Sequence, residues 1–157
     1  MILKNHQRKA TKDLNTRPCK ILCTQPRRLA TVAAAERVAH EMGVDIGSAV
    51  GYHVRFASLP ATTDNSITFC TPGTIASAFH PKYMHATSPH SNRINILEIT
   101  HLLLDEVHER DLETDVLLSL VRTYISRRLA LGLPCFKIVL MYAFRQFLDL
   151  CYEACSR

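Results

Sequence analysis

Three consecutive leucines, Leu102-Leu103-Leu104, run directly into Asp105-Glu106 and then Val107-His108-Glu109-Arg110-Asp111. An apolar run this short, with Ile99 just before it, predicts a β-strand buried on both faces, as in a parallel sheet with helices on either side. In such sheets ligands sit beyond the carboxyl ends of the strands. Asp105 falls at that edge, where a carboxylate can hold a hydrated Mg²⁺ on nucleotide phosphates. Glu106, one residue on, points another way and can orient or deprotonate an attacking water. For an isolated Asp-Glu pair, a solvated acidic turn is the plainer alternative.

The rest of the chain repeats the same grammar. Residues 1–18 are polar and basic and predict a helix end and surface loop. Cys19–Thr24 predicts a short strand, and Gln25-Pro26-Arg27-Arg28 opens a helix to about Met42. That helix shows an apolar stripe at Leu29, Val32, Ala35, Val38 and Met42, with Gly43 as its stop. Ala49–Phe56 predicts a strand and Ser58–Asn65 a turn. Ser66–Cys70 is a further strand, from which Thr71-Pro72-Gly73 starts a short helix to about Phe79. His80–Arg93 is a loop, and Ile94–Ile99 leads into the leucine strand. Asp111, Glu113 and Asp115 mark a helix start and Arg127 and Arg128 its end, in the polarity that the helix dipole favours. Leu117, Leu120, Val121 and Tyr124 form its core stripe. Gly132-Leu133-Pro134 ends it, and Cys135–Met141 is a final strand. Strands alternating with helices predict an α/β fold, a mainly parallel sheet with flanking helices. Thr24, Thr71 and Asp105 then share one edge.

Arg27 and Arg28 place two cations in the first turn of a helix, where the dipole favours anions. A phosphate backbone gripped by both arginines and nearby backbone N–H groups would offset that cost. Two solvated surface arginines are the alternative.

Composition narrows the classes. A length of 157 residues, 47% hydrophobic and 21% charged, suits one globular domain. A net charge of +5 fits an anionic partner such as nucleic acid. No signal-peptide core and no apolar run long enough for a membrane span occur, so no membrane partner is expected and the expected address is intracellular, nucleus or cytoplasm. The six cysteines include no C-x-x-C pair. Cys19, Cys23, Cys70 and Cys135 lie in or beside apolar runs as small buried hydrophobes, whereas Cys151 and Cys155 sit in a helix-like tail. His80, His85 and His90 fit no usual ligand spacing.

Taken together, Leu-Leu-Leu-Asp105-Glu106-Val107-His108-Glu109-Arg110-Asp111 resembles the Walker B (DExH) motif of DEAH/RHA-type RNA helicases. The strand–Thr24-Gln25-Pro26-Arg27-Arg28–helix unit resembles motif Ia of that family, Thr71-Pro72-Gly73 its motif Ib, and Val50-Gly51-Tyr52-x-x-Arg55-Phe56 a stretch found between them. The resemblance covers about residues 2–141 and implies most of a first RecA-like (P-loop NTPase) domain, with residues 142–157 as a divergent tail. It implies ATP-driven unwinding or remodelling of RNA, single-stranded or structured, with ATP and Mg²⁺. By the same resemblance Asp105 binds Mg²⁺ through water, Glu106 activates water, and His108 links the nucleotide site to the helicase core. Arg27, Arg28, Thr71 and Gly73 contact RNA.

Departures accompany the matches. A P-loop needs G-x-x-x-x-G-K-[ST], yet none of the five glycines is followed by lysine. Ile2–Gln7 resembles the later part of the helix after that loop, so Met1 is expected to fall beyond the phosphate site. Tyr142-Ala143-Phe144 stands where relatives carry Ser-Ala-Thr, Thr74–Ala78 contains no arginine where relatives often place one, and no second lobe with its arginine finger is found. Much of the electrostatic stabilisation of phosphoryl transfer is therefore lacking, and the chain alone is expected to hydrolyse ATP negligibly and to be marginally stable. A non-enzymatic RNA-binding module derived from a helicase is the alternative.

Overall fold

The computed structural model describes residues 18–79 and 94–142. The N-terminal basic segment, the loop bearing His80, His85 and His90, and the tail from residue 143, with Cys151 and Cys155, lie outside the described residues.

The architecture is an α/β layer structure around one six-stranded sheet. The strands are β1 (Lys20–Thr24), β2 (Val50–Val54), β3 (Ala57–Leu59), β4 (Ser66–Cys70), β5 (His101–Leu104) and β6 (Lys137–Leu140), in the order β3-β2-β4-β1-β5-β6. Every neighbouring pair is parallel except the β2–β3 hairpin. Helices α1 (Arg28–Met42), α2 (Pro72–Ala78) and α3 (Leu112–Ala130) flank it.

Side-chain alternation sorts each strand between two cores. On one face Leu22, Cys70, Leu102 and Leu104 pack with Ile75 and Phe79 of the α2 region and Leu117, Val121 and Tyr124 of α3. Tyr124 stacks on Phe136 at 5.7 Å and meets Phe79 edge-on at 5.4 Å. On the other face Cys23, Val50 and Phe69 pack with Ala35 and Ala39 of α1. Burying a side chain such as Leu102 or Leu104 contributes about 1.5–3 kcal/mol relative to leaving it exposed. Asp111 caps α3 by accepting the Thr114 N–H at 2.9 Å, and Gly43, at φ 66°, closes α1 in the left-handed conformation glycine tolerates.

Several expectations need correction. Leu29 is 85% exposed, and Thr31 rather than Leu29 begins the buried stripe of α1, which continues through Ala35 and Ala39. Thr31 is buried without an orphaned hydroxyl because its Oγ1 donates to the Arg27 carbonyl at 3.0 Å. The expected strand to Phe56 stops at Val54, and residues expected as a turn form β3, reached through Arg55-Phe56 with Phe56 at φ 67°. The leucine strand is fully buried on one face, at Leu102 and Leu104, whereas Leu103 is only partly covered. The final strand is shorter than expected and exposed throughout, with Cys135 half-buried.

Candidate functional site

Register brings the predicted residues to one edge. Thr24 lies level with Cys70 of β4 and Leu104 of β5, so Gln25, Thr71 and Asp105 leave the sheet side by side. Asp105 is tied there by three contacts. Its own N–H donates to Thr24 Oγ1 at 3.1 Å, its Oδ2 accepts the Gln25 side-chain amide at 2.5 Å, and its Oδ1 accepts the Glu106 N–H at 2.9 Å. A carboxylate offers about four acceptor sites, so lone pairs remain for a water of a hydrated Mg²⁺, the single-carboxylate mode that ion accepts. Among the described residues no group of three or more His, Cys, Asp or Glu could chelate a metal directly. The free lone pairs of Asp105 fit a water-mediated hold on the ion.

Glu106 adopts φ 53° and ψ 32°, a left-handed conformation uncommon outside glycine and of the kind found at functional turns. Its side-chain Oε2 sits 3.2 Å from His108 Nε2. A 3-10 turn over Val107–Glu109 follows, anchored by buried Val107, whose N–H donates to the Met141 carbonyl at 3.3 Å. Below the edge, burial and the Asp105 charge push the Cys23 thiol up to about 12, and burial pushes Cys70 well up too. Both stay protonated and behave as packing residues.

Arg27 is the N-cap of α1, without a side-chain cap, and Arg28 its first residue; no acidic side chain occupies that turn. Both are exposed. Arg27 Nη2 lies 3.9 Å from Glu109 Oε1, which links the arginine turn to the acidic turn after β5. Arg28 forms no ion pair among the described residues. Thr71 Oγ1 lies 2.8 Å from Thr74 Oγ1, and the Gly73 N–H donates to Glu113 Oε2 at 3.1 Å.

Three features were not anticipated. Gln25 bridges the arginine turn and Asp105. Glu113 reaches Gly73 across 40 residues. A cleft of about 650 Å³ also opens beside Thr71 and Gly73, lined on its hairpin side by His53, Arg55 and Phe56. Phe56 is 84% exposed with the Arg55 guanidinium 4.8 Å above its ring. An exposed aromatic beside an arginine was readable locally, but its proximity to Thr71 depends on the β2–β4 register.

A mainly parallel sheet with helices on both faces and its polar residues gathered at the carboxyl edge places the described residues in the class of RecA-like α/β domains, of which they form part. No protein-family model matches the chain. It is 37% identical over 127 residues, 80% of its length, to the ATP-dependent DNA/RNA helicase DHX36 of Bos taurus. It is 34% identical over 125 residues to the DExH-box ATP-dependent RNA helicase DExH2 of Arabidopsis thaliana, and 35% identical over 125 residues to the ATP-dependent RNA helicase DHX30 of Homo sapiens, again over 80% of the chain in each case. The chain belongs to the DExH-box RNA helicase family. It spans 11%, 7% and 9% of those three proteins respectively. No helix among the described residues is long and apolar enough to cross a membrane.

Proposed function

We propose that this chain is part of the first RecA-like lobe of an ATP-dependent RNA helicase, with residues 1–141 belonging to that lobe and 142–157 forming a separate tail. In this reading the carboxyl edge of the sheet carries two surfaces. Asp105 holds a water of nucleotide-bound Mg²⁺, and Glu106 takes a proton from the attacking water, with His108 beside it as the link to the rest of the core. Bound Mg²⁺ supplies charge neutralisation at the phosphates. Arg27, Arg28, Thr71 and Gly73 contact the RNA backbone, and the adjoining cleft offers Arg55 for a phosphate and the exposed Phe56 ring for a base. One observation carries the reading: the Gln25–Asp105 hydrogen bond joins the arginine turn to the metal-facing carboxylate.

Because no glycine is followed by lysine in the sequence, the chain alone binds RNA but hydrolyses ATP negligibly, a helicase-derived RNA-binding module in isolation. Binding of a single-stranded RNA oligomer tests this by fluorescence anisotropy. Arg27→Ala with Arg28→Ala should weaken binding and reduce the salt slope by about 0.7 per lost phosphate contact. Unchanged affinity in that double variant would overturn the RNA surface. RNA-stimulated ATP turnover well above that of Glu106→Gln would overturn the claim of inactivity.

A further inference from the structure

Among the described residues, cover on the α2–α3 face of the sheet stops one strand short of β6. Leu102 and Leu104 of β5 are fully buried, whereas Ile138 and Leu140, their register partners on β6, are 38% and 44% exposed. Residues level with each other in neighbouring strands share a face of the sheet, so the two strands present one apolar surface and only half of it is packed. Leu117, Val121 and Tyr124 of α3 belong to the core that contains Leu102 and Leu104, and neither Ile138 nor Leu140 takes part in it. Branched aliphatic side chains on a sheet face, continuous with a filled core, are surface that a further layer buries in a two- or three-layer domain.

The chain itself carries a segment that suits this surface. Tyr142, two residues beyond β6, packs against the same α2–α3-side core, so the chain turns toward that face as it leaves the strand. Beyond it, Phe144, Phe147, Leu148, Cys151 and Cys155 recur at the i, i+3, i+4, i+7 and i+11 spacing of one helical face. Arg145, Gln146, Asp149, Glu153, Ser156 and Arg157 all fall on the opposite side. A strand followed by a helix laid back on the sheet is the unit this fold already uses after β1, β4 and β5. The N-terminal segment suits the surface less well, because Lys4, Arg8, Lys9, Lys12 and Arg17 are spread among its few large apolar residues.

We propose that residues 144–155 supply the cover of β6 on this face, laying the stripe of Phe144, Phe147, Leu148 and Cys151 on Ile138 and Leu140. The inference concerns the packing of the chain on itself and does not rest on the nucleotide or RNA reading. It gives the tail, which diverges from the family pattern, a structural task. The open backbone edge of β6 is a separate surface, since a stripe of side chains covers a face and leaves edge N–H and C=O groups unpaired.

Photocrosslinking in the full chain tests the proposal. A benzophenone side chain placed at position 147, in an equal mixture of unlabelled and isotope-labelled chains, should join that position to residues 137–142 of the same chain. Products joining two copies would make a second molecule the occupant, and products at any other segment would put the stripe elsewhere. Either result overturns the proposal. Thermal melting gives an independent readout. Leu148→Asp sets a charge in the stripe and should lower Tm by about 4–8 °C. Gln146→Asp, on the polar side, should stay within about 1 °C of the parent. Equal melting of the two variants overturns the proposal, and if Leu148→Asp fails to fold, the crosslink map of the otherwise unaltered chain decides alone.

Discussion

Gln25 donates its side-chain amide to Asp105 Oδ2 at 2.5 Å, joining residues 80 apart in the sequence. The bond forms because β1 and β5 are parallel neighbours in a register that sets Thr24 against Leu104. It couples two turns of opposite charge, one with Arg27 and Arg28 and the other with Asp105, Glu106 and Glu109. Gln25→Ala removes the donor from a half-buried carboxylate and should cost about 1–2 kcal/mol. For a chain of this size each kcal/mol lowers Tm by about 2–4 °C, which a thermal melt followed by circular dichroism would register. A melt equal to the parent's would mean that water replaces Gln25 without loss.

Gly51 is required by space rather than by backbone conformation. A Cβ there would meet the Ala61 nitrogen at 2.4 Å and the Leu59 carbonyl oxygen at 2.6 Å. These are backbone atoms at the end of β3 and in the segment just after it, and they cannot swing aside as a side-chain end would. Gly51→Ala should therefore destabilise the chain by about 1–3 kcal/mol, the usual cost of overpacking. Urea denaturation with an unchanged slope and a lower midpoint is the expected signature.

His53 gives the stability a pH dependence of known sign. Its Nδ1 lies 2.7 Å from Ser58 Oγ, and burial lowers its pKa below the ordinary value of 6.5. In the interval between the folded pKa and 6.5 the unfolded chain binds the proton more readily than the folded one. The contribution of His53 to stability is thus full above about pH 6.5. It declines as pH falls below that value and levels off once pH is below the folded pKa. His53→Gln should remove this component, so the parent-minus-variant stability difference should vary between about pH 5 and 7.5. A difference that stays flat across that range contradicts the burial argument.

Leu104 and Leu29 form a matched pair of opposite expectation. Leu104 is fully buried between the sheet and the α2–α3 layer, whereas Leu29 is 85% exposed. Leu104→Ala should cost about 2–5 kcal/mol, a large share of a typical total of about 5–15 kcal/mol. Leu29→Ala should fall within about 0.5 kcal/mol of the parent. Equal effects in the two melts would contradict the assigned orientation of α1.

The elements legible from sequence are those whose signal is local. β1, β4 and β5 are short apolar runs cut off by Gln25-Pro26, Thr71-Pro72 and Asp105-Glu106. α3 announces itself through Asp111 and its two flanking charge sets. The hairpin was hidden because its turn residues, Arg55 and Phe56, include no Gly, Asn or Asp, and a phenylalanine at positive φ carries no sequence mark. Leu29 misled because Thr31, with its hydroxyl satisfied by the helix backbone, took the buried position that an apolar residue seemed to claim. Contacts such as Gln25–Asp105 and Gly73–Glu113 depend on which strands and helices become neighbours, and spacing alone carries no information about that.

β6 has one consequence for the handling of this chain. Ile138, Val139 and Leu140 are exposed, and among the described residues the strand is paired on one side only, with β5. An apolar strand with an open backbone edge is a template for another strand. Loss of dispersed material should therefore rise faster than linearly with concentration, and in a cell such a chain is a natural client for chaperones. Dilution, more than temperature, would govern how long it persists.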